Sequence, residues 1–462
     1  MPKRPDSEEY GLAQRAHLGR AALGELKPRH FDPIDVFRQS CVGRVPRLLP
    51  LKFRLMSTSP FAFFRGSVEI MAADFGAARN TRIGVQLCGD AHLKNFGFYA
   101  TPSSEIVLDI NDFDETIRGP WEWDVKRMAT SIMLGGRVAG DKEARCKAAT
   151  DVFIRQYCEW LRRFAAMPTI DVARHSTVRN FRDPFIRDAL KKAERSTPLS
   201  NMAKLTRKKG KDYRFIFHPN TTWEVEGKTR KAVLRALPAY RGTLAPHYQQ
   251  LFDRYHAVDV GFKVVGTGSV GTRDYVVLLF GRSDADPLFL QIKEEPPSAY
   301  APYLKDTGPA MHQGQRVVEG QRALQVSSDL LLGWCTIDRR DYLVRQLSDH
   351  KSSVEPEELL GRRLAEYSRV CAELLAKGHA RSGHPVAISA YVGGSDKAQK
   401  ALLRFAVSYA DQVEKDYATF GKALRQGRLK HSGIASAPAA SKKDTSKKDT
   451  SEKDTQDLPD PI

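Results

Sequence analysis

The stretch Cys88-Gly89-Asp90-Ala91-His92-Leu93-Lys94-Asn95, followed by Asp112-Phe113-Asp114, decides how this chain is read. An aspartate with an asparagine five positions on, then a second aspartate ending a short hairpin, collects one carboxylate base and two oxygen ligands. The base suits removal of a proton from an attacking hydroxyl, and the ligands suit a hard divalent cation. Turn chemistry uses the same residue types, with Asp90 and Asn95 simply closing a polar loop. The flanks weigh against that plainer account. Strand patterns at 83–87 and 106–110 border the loop, and Gly119-Pro120 breaks the chain before a predicted helix with Asp124 near its start.

A second motif lies far downstream. FKVVGTGSVGTRDYVVLLFG (262–281) contains a GxGxxG, Gly266 to Gly271, which by itself is a weak signal. A dinucleotide fold would start a helix at the last glycine. Here Tyr275, Val276 and Val277 follow, so the pattern is strand, glycine turn, strand, the form of a hairpin that covers phosphates. Gly266, Gly268, Ser269 and Gly271 are the candidate phosphate-cradling residues. LFLQIKEE (288–295) reads as the next strand and places Lys293 to neutralise phosphates. A carboxylate should hold that lysine, and Glu319 in the helical pattern 313–326 is the best candidate, with Glu294 and Glu295 competing.

The remaining patterns outline five regions: an arm at 1–50, a mainly helical region at 51–250, a β-rich one at 251–350, returning helices at 351–430, and a tail. Helices are predicted over 141–165, from Pro356 to about His379, and over 402–420, from apolar residues recurring at three and four. A basic insertion near 172–240, containing LTRKKGKDYR (205–214), reads as a solvated face or a surface for an acidic partner. The pentads SKKDT, SKKDT and SEKDT from Ser441 to Thr455 have nothing apolar to bury, and the tail 431–462 is expected to be disordered. With 73 basic and 55 acidic side chains the net charge is +18, which favours a polyanion such as a nucleotide, a nucleic acid or an anionic surface. The six cysteines have no CxxC spacing, which argues against a zinc site or disulfide framework. No apolar signal follows the first basic residues and no run is long enough to span a bilayer, so a cytoplasmic setting is the default expectation.

GDAHLKNFG, LDINDFDE and GPWEWDVKRMA resemble the aminoglycoside-phosphotransferase branch of kinase-like enzymes. That resemblance implies Asp90 as catalytic base, Asn95 and Asp112 as magnesium ligands, and Asp124 as the aspartate that braces the catalytic loop. From about Phe53 to Phe420 the chain more specifically resembles the bacterial domain-of-unknown-function family 2252, through SPFAFFRG, QLCGDAHLKNFG, INDFDET, GPWEWDVKR, GTGSVGTR, QIKE and HARSG. Two positions depart from the kinase-like pattern: Cys88 stands where a histidine is usual, and Asp114 where a glycine is usual. The order departs too, since the catalytic segment precedes the glycine hairpin. The expected fold is therefore α+β, a bilobal protein-kinase-like fold in permuted order, with a β-rich nucleotide lobe and a mainly helical catalytic lobe. The expected function is ATP- and magnesium-dependent transfer of phosphate to a hydroxyl of an unknown small molecule. Nucleotidyl transfer to protein, and non-catalytic binding of nucleotide or nucleic acid, are the alternatives. Patterns in the chain assign no role to Arg65, His379 or Arg381, and none to oligomeric state.

Overall fold

Asp274–Phe280 is buried at every position, as a strand covered on both faces must be. It sits inside a six-stranded sheet ordered Gly333–Ile337, Arg340–Gln346, Pro287–Glu294, Asp274–Phe280, His256–Lys263 and Thr222–Glu224. All neighbouring pairs are antiparallel. The computed structural model describes residues 6–175, 184–210, 212–218, 221–264, 266, 268–304, 311–347 and 352–429. The fold is mixed α+β.

The sheet's two faces follow from alternation along each strand. Val277, Leu279, Leu290, Ile292 and Val344 share a core with Val233, Ala236 and Tyr240 of the helix Gly227–Arg241. Val276, Leu278, Phe280 and Phe289 form the other face, closed by Phe215 with Met202 and Leu205. That second face changes character along its length. Lys293 lies opposite Asp274, and Gln291 opposite Arg345, so the end nearest residues 111–114 is polar.

The larger core is mainly helical. Arg362–Ser382 packs against Glu143–Ala166, and Lys397–Arg425 packs against both Glu122–Val138 and Glu143–Ala166. Of the apolar stripe predicted for the first of these, Leu364, Tyr367, Cys371 and Leu374 are fully buried, whereas Leu360 lies before the helix and is exposed. Glu8–His17 packs on Pro385–Val392, where Arg15 Nε donates to the Tyr391 carbonyl at 2.9 Å. No helix among the described residues is long and apolar enough to cross a membrane.

Three expectations need correction. The β-rich part begins before 251, because Thr222–Glu224 pairs with His256–Lys263 and the helix Gly227–Arg241 covers the sheet. Part of the basic insertion is thus structural: Thr206–Lys209 and Asp212–Phe215 form a hairpin whose Phe215 is buried, while Arg207, Lys208 and Lys209 stay exposed. The helix expected to run on from Pro356 is interrupted. A short 3-10 turn at Pro356–Glu358 ends before Gly361, whose φ of +61° breaks the helical path, and the α-helix starts at Arg362. The tail 431–462, with its pentads, lies outside the described residues.

Candidate functional site

The strand Gly84–Leu87, paired with Ile117–Pro120, delivers the chain into the loop at 88–95. Gly89 has φ +86°, and a Cβ there would stand 2.2 Å from the Glu115 carbonyl oxygen, so only glycine fits before Asp90. The loop is then braced from the helix Glu122–Val138. The Asp124 carboxylate accepts from the backbone N–H groups of Cys88 at 2.8 Å and Gly89 at 3.0 Å. His379 Nε2 lies 3.1 Å from Asp124 Oδ2, and Tyr157 Oη lies 2.7 Å from His379 Nδ1. His379 therefore ties the helix Arg362–Ser382 to the loop, joined by Tyr367, whose hydroxyl donates to the carbonyls of Leu93 and Phe96 at 3.1 Å each. Replacing Asp124 by alanine orphans two buried N–H groups at about 1–3 kcal/mol each. A denaturation midpoint within error of the parent's would contradict this brace.

Asn95 stitches the two acidic segments together. Its amide nitrogen donates to the carbonyls of Asp90 at 3.0 Å and Asp112 at 2.9 Å, and its oxygen accepts from the Asp112 N–H at 2.7 Å. Asp90 is held by Arg127, whose Nε donates to Oδ1 at 2.7 Å from a fully buried side chain. Oδ2 is left toward His92, with Nε2 at 3.6 Å. Burial raises the Asp90 carboxyl above its usual range and Arg127 opposes the rise. Burial, with Arg65 and Arg127 beside it, drives the His92 imidazole well below its ordinary value, so the ring is neutral.

The β-rich part meets the Asp112–Asp114 segment directly. Lys293, 4 % exposed in its side chain, donates to Asp114 Oδ2 and lies 3.8 Å from Asp112 Oδ1. Ser269 Oγ of the glycine turn donates to the same Asp114 oxygen at 2.8 Å. Burial alone would lower the lysine, but the fields of Asp112 and Asp114 outweigh it and raise its pKa. For Asp114 burial works upward and is overcome by Lys293, so the pair is ionised. The turn is gripped from its other side by the segment before the loop. Lys52 Nζ donates to the Gly268 carbonyl at 3.0 Å, Arg44 Nη1 to Val270 O at 2.9 Å, and Val45 N–H to Gly271 O at 2.6 Å. Lys52 is fully buried, and burial, with Arg44 adding to it, pushes its pKa down to about 7.

Residues 44–423 match the family described as "Uncharacterized protein conserved in bacteria (DUF2252)". The chain belongs to that family. The match takes in the loop at 88–95, the glycine turn, Lys293 and the bracing helices together. No curated protein and no solved structure matches the chain.

Of the residues singled out from sequence, Asp90, Asn95, Asp112, Ser269 and Lys293 come together. Gly268 and Gly271 lie in the gripped turn, whereas at Gly266 a Cβ would meet nothing within 4 Å. Glu319 is not part of the group: it is exposed and accepts from Gln315 Nε2 at 2.7 Å. The helix Gln313–Leu324 buries Val317, Val318, Gly320, Gln321 and Leu324, which turns Glu319 to solvent. Glu294 is bound to Arg273 at 3.0 Å and Arg340 at 2.6 Å. Asp114 holds the lysine instead. Arg127 was the residue the sequence concealed, although its place one turn after Asp124 puts both on one helix face.

Magnesium needs oxygen ligands, and the acidic pair can offer them. Asp112 Oδ1 is buried without a hydrogen-bond donor, and the Asn95 oxygen keeps one lone pair beyond the bond to Asp112 N–H. Among the described residues no group of three or more His, Cys, Asp or Glu is spaced to hold a metal. Magnesium commonly takes one or two protein ligands and fills its shell with water and phosphate oxygens, so this donor set fits it.

Proposed function

We propose that this protein moves a phosphoryl group from ATP to a hydroxyl of a small-molecule acceptor, within a kinase-like fold of permuted order. The observation that carries the reading is the contact of Lys293 and Ser269 with the Asp112–Asp114 segment, 155 residues separating Ser269 from Asp114. Phosphoryl transfer proceeds by positioning and charge neutralisation, so a lysine and an acidic ligand set must share one phosphate chain. Permutation is supported by the end of the helix Arg362–Ser382. Gln86 N–H donates to Ser382 Oγ at 3.2 Å, and Arg118 Nη1 donates to Ser382 O at 3.0 Å. Joining that helix end to the strand Gly84–Leu87 would give the order glycine hairpin, lysine strand, helix, catalytic loop.

In this mechanism Asp90 receives the acceptor's proton on Oδ2, the oxygen that Arg127 leaves free. Lys293 and the glycine turn would approach the donor's phosphates. Magnesium, held by Asp112 and Asn95, would supply neutralising charge on those phosphates. The sheet end formed by Asp274, Gln291 and Arg345 is polar rather than an apolar slot, with Gln291 bonded to both of the others. The small-molecule class of the acceptor rests on the aminoglycoside-phosphotransferase resemblance alone.

Thermal denaturation with ATP, with and without magnesium, tests the reading first; ATP that stabilises in neither condition ends it. ATP labelled at the α- or γ-phosphate, incubated with a metabolite extract, then separates the chemistries. Label from the γ position on a small molecule supports phosphoryl transfer, and α-label on protein replaces it with nucleotidyl transfer. Asp112→Asn is expected to weaken ATP binding roughly tenfold in magnesium, the equivalent of about 1.4 kcal/mol, with little change in its absence. Equal weakening in both conditions would assign Asp112 to folding instead.

A further inference from the structure

Arg65 lies in the last turn of the short helix Pro60–Gly66, which Ser59 caps by accepting from Ala62 N–H at 3.0 Å. Its backbone is built into the site from two directions. Arg127, the arginine that holds Asp90, donates to the neighbouring Phe64 carbonyl at 3.1 Å. A Cβ added at Gly268 would stand 3.4 Å from the Arg65 carbonyl oxygen, so the glycine turn lies against it. The guanidinium sits in the fields of Asp90, Glu355, Asp112 and Glu357, yet it makes no hydrogen bond among the described residues. Its Nε is buried without a partner. Other buried arginines of this chain behave differently: Arg29 engages Asp74 and Asp416, and Arg127 engages Asp90. A guanidinium fork with no protein hydrogen bond among the described residues, its backbone against the glycine turn and its charge in the field of Asp90, matches the oxygens of a phosphoryl group.

We propose that Arg65 is a catalytic residue whose guanidinium binds the phosphoryl group in transit between donor and acceptor. The proposal rests on the phosphotransferase reading above. In that step the donor's β,γ-bridging P–O bond breaks with its electron pair staying on the ADP oxygen. The acceptor oxygen forms the new bond to phosphorus, and its proton passes to Asp90. Arg65 exchanges no proton; it holds the phosphoryl oxygens as charge spreads over them.

The test uses the full chain with magnesium and ADP, then with aluminium fluoride added as a planar mimic of the phosphoryl group. Wild type is expected to gain a further rise in melting temperature from the fluoride complex. Arg65→Ala and Arg65→Lys should keep the magnesium–ADP shift and lose the further rise, the lysine lacking the fork. Slow ATP hydrolysis, with water as acceptor, should fall about 10³-fold in both. Arg65→Lys retains the cation, so a folding defect confined to the alanine variant leaves the lysine result decisive. A full fluoride increment in Arg65→Lys, or loss of the ADP and fluoride shifts together, overturns the proposal. A wild type that responds to magnesium–ADP but gains nothing from fluoride overturns it as well, while leaving the phosphotransferase reading standing. A wild type that ignores magnesium–ADP overturns both.

Discussion

Asp90→Asn is expected to lower turnover by about 10²–10⁴-fold while ATP binding and melting temperature stay close to the parent's. The asparagine keeps an oxygen for Arg127 Nε, which now donates to Asp90 Oδ1 at 2.7 Å, and removes only the basic carboxylate. Asp90→Ala is the poorer variant. It would strand the fully buried Arg127 side chain, and breaking such a pair costs about 3–5 kcal/mol, so lost activity could be lost fold. Turnover of Asp90→Asn within a few-fold of wild type would return Asp90 to the status of a turn residue.

Lys293→Met is the second large effect. The substitution leaves Asp114 with Ser269 as its remaining side-chain donor and removes the cation nearest Asp112. An uncompensated charge in such a place costs about 3–5 kcal/mol, read as a lower denaturation midpoint. Adding Asp114→Asn removes the stranded charge, so the double variant should recover most of the stability and none of the ATP binding. A single variant as stable as the parent would mean the pair does not form in solution. A double variant that binds ATP like wild type would mean that Lys293 has no part in holding phosphate.

Local pattern made much of the fold legible. Alternation and β-branched residues locate Asp274–Phe280 and Pro287–Glu294 as strands, and recurrence at three and four locates Arg362–Ser382 and Lys397–Arg425 as helices. Both signals report which side chains face inward within one element, and that is set over a few neighbouring residues. Apolar recurrence carries the helix from Pro356 straight through Gly361, and only that glycine's φ of +61° shows that the chain breaks there. The strand Thr222–Glu224 is three residues long, too short for alternation to register, and its membership of the sheet comes from pairing with Gly261, Phe262 and Lys263.

The candidate site divides along the same line. Asp90, Asn95, Asp112 and Lys293 were readable because their chemistry depends on residue type and on spacing inside one loop or strand. The partner of Lys293 was not, because it depends on how the helix Gln313–Leu324 is rotated. That rotation is set by packing: a Cβ at Gly320 would stand 2.4 Å from Thr116 Oγ1, so this face lies flush on the chain beyond Asp114 and Glu319 is turned away. The same holds for Arg127 on Asp90, His379 on Asp124, and Lys52 on Gly268, each joining elements that no periodicity relates. By itself the sequence determined most of the longer elements, the candidate motif residues and the family. Tertiary structure alone decided which charges meet, because a buried charge takes whichever opposite partner packing brings within hydrogen-bond reach.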